Sequence, residues 1–212
     1  MKLVYSTNSI FRLFVLLGML FVIQACTKDR VIDLGPQLPP GDEQLMYYWS
    51  FNNTVSLDSL IAPVISIGTN QLNYEGAFFD EVNDGTEINA RSSVESGSAL
   101  RLRNPSDYLD IEFSTSGYKD IVIQYATMRT NSGAMIQQIL YSTDGSTFIN
   151  SGIEQTEFSI GLDWELKVIN LKPINAANNN ADFRLRLKFA EGSENPSGNN
   201  RIDNLTIEGL PF

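Results

Sequence analysis

Residues 183–189 read Phe-Arg-Leu-Arg-Leu-Lys-Phe, and that strict alternation constrains the fold more than any other stretch of the 212-residue chain. Successive side chains of a strand point to opposite faces, so Phe183, Leu185, Leu187 and Phe189 share one side and Arg184, Arg186 and Lys188 the other. A helix would scatter the same residues around its circumference. Further segments, 46–51, 99–104, 108–114, 120–129, 134–142 and 201–209, carry the same two-residue period or β-rich composition and are separated by Gly, Asn, Asp and Ser. No stretch in this region keeps a helical period for three turns. One apolar face per strand predicts an all-β, two-sheet antiparallel β-sandwich spanning residues 45–212. Tyr47, Trp49 and Phe51 fall on its interior, and Tyr48 points the other way. Asp144-Gly145 between strand-like flanks predicts a tight type I′ hairpin.

The first residues have a different character. Lys2 and Arg12 precede an eleven-residue apolar run, Leu13–Ile23, which is too short for a bilayer span of roughly 20 residues and suits an export signal. Ile23-Gln24-Ala25-Cys26 resembles the lipobox of bacterial lipoproteins, which implies cleavage after residue 25, lipidation of Cys26 and anchoring in the outer membrane. Residues 26–44, with Pro36, Pro39 and Pro40, then form a polar tether. Lys28-Asp29 resembles the export signals of Bacteroidetes surface lipoproteins, implying an outward-facing domain.

Composition excludes much chemistry. The chain has no His and its single Cys is Cys26, so the domain has no imidazole, thiol nucleophile or disulfide. Loss of residues 1–25 removes Lys2 and Arg12 and no acid, taking the formal charge from −10 to −12. Nucleic acid is therefore not an expected partner, since phosphate contacts rest on clustered Lys and Arg. Nothing implies an organic cofactor. Asp110 and Glu112 are acids of the kind a glycosidase pairs, but they lie opposite Leu109, Ile111 and Phe113 and read as solvated outward residues, so catalysis is not expected.

Several ordered blocks, "YYWSFNN", "YLDIEFSTSGYKDIVIQYATMRT", "YSTDGSTF" and "FRLRLKFAEGSENPSGNNRIDNLTIEG", together resemble a jelly-roll module of secreted bacterial proteins, similar in plan to galactose-binding-like carbohydrate-binding modules. The resemblance implies a surface protein that binds carbohydrate or another extracellular polymer. The alternative is a structural or adhesion module that contacts surface proteins. For a glycan, the outward-facing candidates are Gln124, Arg184, Arg186 and Tyr48. Alanine at Gln124, Arg184 or Arg186 is expected to weaken binding without changing thermal stability.

Asp203 raises a separate question. Strict alternation places it beside Leu205 and Ile207 on a buried face. In many such modules an acid of the last strand and an oxygen ligand near the first hold a structural calcium ion, which the resemblance carries to Asp203 and to Asn52 or Asn53. Pairing with Arg201 or with an arginine across the sheet, or hydration at a strand end, remains open beside it.

Overall fold

The computed structural model describes residues 43–212. The signal segment, Cys26 and the tether up to residue 42 lie outside the described residues. Glu43 is ion-paired to Lys172 at 2.7 Å and Gln44 belongs to the first strand.

Ten strands follow: β1 (Gln44–Trp49), β2 (Ile65–Ser66), β3 (Asn70–Asp84), β4 (Ser98–Phe113), β5 (Tyr118–Arg129), β6 (Ile136–Ser142), β7 (Glu157–Ser159), β8 (Glu165–Asn170), β9 (Phe183–Ala190) and β10 (Asn199–Pro211). Among the described residues there is one short α-helix, α1 (Leu57–Leu60), capped by Ser56, whose side chain accepts from Ser59 N–H. Hydrogen bonding links all ten strands, but pairings divide them into two antiparallel layers. Layer one runs β3, β4, β9, β6, β7, and layer two runs β2, β1, β10, β5, β8. They meet where Asn199–Ile202 of β10 pair with Leu100–Arg103 of β4. The result is a jelly-roll β-sandwich.

The core lies between the layers and follows from the alternation. Leu109, Ile111 and Phe113, Leu185 and Leu187, and Ile139 and Tyr141 face inward from layer one, against Tyr47, Trp49, Ile121, Ile123, Leu205 and Ile207 from layer two. Tyr47 stacks on Trp49 with centroids 5.8 Å apart, and Phe113 meets Phe183 at 5.3 Å. Trp49 Nε1–H donates to the Ile61 carbonyl at 2.9 Å, which ties the α1 excursion to β1.

Three details differ from the sequence expectation. Segments 99–104 and 108–114, up to Phe113, belong to one sixteen-residue strand, β4, which contains a cis Asn104–Pro105 bond. The Asp144-Gly145 turn is not type I′: Gly145 has φ of 75° and Asp144 is not in the left-handed region. Instead Asp144 Oδ1 accepts from the N–H groups of Ser146 and Thr147 and from the Ser142 hydroxyl, at 2.8, 2.7 and 2.8 Å. These donors hold its carboxyl well below the usual carboxylate range.

The third concerns β10. Asp203 pairs with Ala126 and Thr206 with Gln124, so three steps along β10 span two along β5. Asn204, with φ of 47°, occupies the bulge. Ile202, Leu205 and Ile207 all reach the core, while Asp203 turns to the outer face of layer two with Ala126, Gln124 and Thr206. Counting by twos placed Asp203 beside Leu205, because the count cannot see an inserted residue.

Candidate functional site

Two polar constellations lie on opposite outer faces of the sandwich. The first is built around Asp203. Residues 85–97, between β3 and β4, fold back over the outer face of layer two, with their ends joined by Gly85 N–H donating to the Gly97 carbonyl at 3.1 Å. Asn204 binds this segment through Nδ2–H to the carbonyls of Thr86 and Ile88, at 2.7 and 3.0 Å. Asn89 returns the contact, donating to the Asn204 carbonyl at 2.6 Å and to Thr206 Oγ1 at 3.2 Å. Arg91 ion-pairs with Glu208 at 3.0 Å.

This cover corrects the reading of Tyr48 as an exposed residue. Tyr48 is fully buried, donating from its hydroxyl to Asn204 Oδ1 at 2.7 Å and accepting from Arg91 N–H at 3.3 Å. Gln124 is likewise buried, with Nε2 at 3.4 Å from Glu208 Oε2.

Asp203 itself is 0% exposed. Oδ2 accepts from Thr86 N–H at 2.7 Å and Oδ1 from Asn204 N–H at 2.8 Å. Among the described residues no arginine or lysine pairs with it; Arg201 reaches Asn199 Oδ1 and Met128 Sδ instead. Burial pushes the Asp203 carboxyl up to about 7, and the two backbone donors only partly offset this. More oxygens converge nearby. A Cβ on Gly85 would stand 2.5 Å from Asp203 Oδ2 and 2.8 Å from the Ser98 carbonyl oxygen, and would press on that of Ser96. Asn52 braces the returning limb, its Oδ1 accepting from Ser98 N–H at 2.6 Å and its Nδ2–H donating to the Glu95 carbonyl at 3.1 Å. Asn53 Oδ1 faces its own loop, 3.5 Å from Val55 N.

This donor set fits a hard cation. One buried carboxylate without a cationic partner stands beside two backbone carbonyls, and calcium takes oxygen ligands that include such carbonyls. Among the described residues no three acidic, His or Cys side chains come together, so any ion here would depend on backbone oxygens beside Asp203.

The second constellation lies on the outer face of layer one. Arg186 makes a two-pronged contact with Asp110 of the neighbouring strand, Nε to Oδ1 and Nη2 to Oδ2, both at 2.7 Å. Its guanidinium lies between two rings, 3.5 Å from the Tyr108 centroid and 3.7 Å from that of Phe148. One register step along, Arg184 pairs with Glu112 at 3.2 Å. Glu112 Oε1 also accepts from Asn73 Nδ2–H, and Asn73 Oδ1 accepts from Gln71 Nε2–H at 2.8 Å. A polar track thus crosses β3, β4 and β9 and borders a cleft of about 290 Å3 lined by Thr69, Asn70, Gln71, Glu112, Asp182 and Arg184, among others.

The four expected ligand residues are therefore divided. Arg184 and Arg186 lie on this face, whereas Gln124 and Tyr48 lie beneath the cover on the other layer. Gln71 and Asn73 escaped the sequence reading, although Gln71-Leu72-Asn73-Tyr74 alternates as a half-buried strand should. Asp110 and Glu112 point outward as expected and each is engaged by an arginine, but Asp110 is buried beneath Arg186 and is not solvated.

No family model and no curated protein matches this chain. Among solved structures it is similar to the CBM36-1 domain of a multidomain xylanase from the hindgut metagenome of Trinervitermes trinervoides, with 11% identity over 68% of this chain and 100% of that one and a TM-score of 0.38. It is also similar to a carbohydrate-binding module CBM36 in complex with calcium and xylotriose, with 14% identity over 66% and 98% and a TM-score of 0.34. A third is the K1 cleaved adhesin domain of Lys-gingipain from Porphyromonas gingivalis W83, with 11% identity over 80% and 99% and a TM-score of 0.45.

Proposed function

We propose that this chain is a lipid-anchored outer-membrane protein whose sandwich faces outward and binds a carbohydrate, or a polymer of similar hydrogen-bonding chemistry, across the outer face of layer one. The observation that supports this reading is the polar track from Gln71 to Arg184 beside the 290 Å3 cleft. Sugar recognition needs planar polar groups held in fixed orientation. Here amide, carboxylate and guanidinium groups hold one another. The Arg184–Glu112 and Arg186–Asp110 pairs balance charge along the track, which suits a neutral glycan better than an ionic one.

The test is binding of the detergent-solubilised full-length protein to a panel of polysaccharides. Selective binding is expected, with Gln71→Ala and Arg184→Ala each weakening it roughly two- to tenfold, the equivalent of one lost hydrogen bond. Affinities unchanged by both substitutions would remove this face from consideration. Absence of binding across a broad panel would move the assignment to a protein-contacting adhesion module.

The reading includes a structural calcium ion held by Asp203 and the carbonyls of Ser96 and Ser98, with Asn52 positioning the limb that carries them. The ion would neutralise a carboxylate that is otherwise buried without a counter-charge. Chelation should lower the melting temperature of the wild-type protein and leave that of Asp203→Ala in place; an equal drop in both would rule the ion out at this position.

A further inference from the structure

Residues 85–97 are attached to the sandwich in an unusual way. None of them is fully buried and none belongs to the hydrophobic core. The segment has no regular secondary structure, and Asn89, Ser92 and Ser93 all lie in the left-handed region. Its attachments are polar: hydrogen bonds from Asn89 to Asn204, from Asn204 to Thr86 and from Arg91 N–H to the Tyr48 hydroxyl over its middle, and the Arg91–Glu208 pair at its far side. Compact loops with joined ends that contribute little apolar burial belong to the low-stability part of a fold and can open without global unfolding.

Both limbs of this loop pass Asp203 at the neck. The outgoing limb supplies Thr86 N–H, and the returning limb brings the carbonyl oxygens of Ser96 and Ser98 toward the same carboxylate. The carboxylate and the two carbonyl oxygens thus crowd one point beside Gly85, and the donors that reach the carboxylate there are the N–H groups of Thr86 and Asn204. A cation between them would take these oxygens as ligands and hold the two limbs together.

We propose that residues 85–97 form a strap whose closure over the outer face of layer two is set by cation occupancy at its neck. The strap opens as a unit when calcium leaves, while the sandwich stays folded. This inference rests on the calcium reading above and adds regulation to it. Its consequence is that Tyr48, Asn204, Thr206 and Gln124, a polar floor with one aromatic ring, are covered when calcium exceeds the site's dissociation constant, roughly 10⁻⁴–10⁻³ M for extracellular calcium sites, and uncovered below it.

The experiment is hydrogen exchange of the full-length protein in detergent, in calcium and in chelator, with calorimetric titration of calcium alongside. In chelator, amides of residues 86–96 should exchange at least tenfold faster, with those of Ile121–Tyr125 and Phe183–Phe189 unchanged. Calcium should restore protection. Magnesium should not, because it requires a tighter octahedral shell than this neck provides. Calcium binding without any change in the strap would overturn the strap inference and leave the ion site standing. Faster exchange spread evenly through the core would also overturn it, showing global stabilisation instead of a latch. A calorimetric trace with no heat or saturation, together with unchanged exchange, would remove both the ion and the strap.

Discussion

With calcium chelated, the wild-type protein should lose stability as pH rises from about 4 to 8, and Asp203→Asn should not. The direction follows from the carboxyl being pushed up from 3.8 to about 7 by burial. Between those values the folded protein holds a proton that the unfolded chain has released. The stabilising contribution is therefore fully present below the unfolded value and is lost as pH rises through the folded one. The size of the effect is on the order of 4 kcal/mol by the linkage between pKa and stability, large beside the 5–15 kcal/mol typical of whole domains. Calcium would occupy the position that the proton neutralises, so its addition should flatten the wild-type profile and leave the variant unaffected. Urea melts at pH 5 and pH 8, with and without calcium, measure all four cases. Parallel pH profiles for wild type and Asp203→Asn in chelator would show that this carboxyl titrates normally.

The parts of this fold that were legible in the sequence are those governed by local periodicity. Phe183–Phe189 alternate so regularly that their inward and outward residues could be assigned residue by residue, with Arg184 and Arg186 outward, and Ile121, Ile123 and Tyr125 fall on the inner face as their spacing indicates. The opacity begins where a long-range contact decides the outcome. Nothing local indicates that residues 85–97 return to cover β10, because the bonds that bring them there join residues more than a hundred positions apart, as in Asn89 to Asn204. Tyr48 was expected to be exposed for that reason: alternation gives the face of a strand and says nothing about what lies over it. The bulge at Asn204 is intermediate. Asn tolerates the left-handed region better than most residues, so Asp203-Asn204 carries a weak local sign of an irregularity, but the extra residue shows itself only against the partner strand. The missed strand β3 has its clear alternation confined to Gln71–Tyr74, and the polar half of that alternation proved to be part of the candidate ligand face.

Arg186→Ala should destabilise the protein by about 2–3 kcal/mol, somewhat below the 3–5 kcal/mol typical of breaking a fully buried pair. Its partner Asp110 has only 8% of its side chain exposed, while Arg186 has 21%. Removing the guanidinium leaves that carboxylate nearly buried without its two-pronged partner and deprives Tyr108 and Phe148 of the cation between them. This revises the sequence expectation that alanine at either arginine would affect binding alone. Arg186 is bound into the sheet face, whereas Arg184, 34% exposed, keeps donors available to a ligand and is the better probe of affinity. Arg186→Lys should recover only part of the loss, since an ammonium cannot reproduce the planar fork or stack between two rings. In a double-mutant cycle, Asp110→Ala should cost little more once Arg186 is gone, giving a coupling energy of at least about 1 kcal/mol. A melting temperature unchanged by Arg186→Ala would mean that the pair is solvated in solution. The track on layer one would then be a mobile surface, without the fixed orientation that recognition of sugar hydroxyls requires.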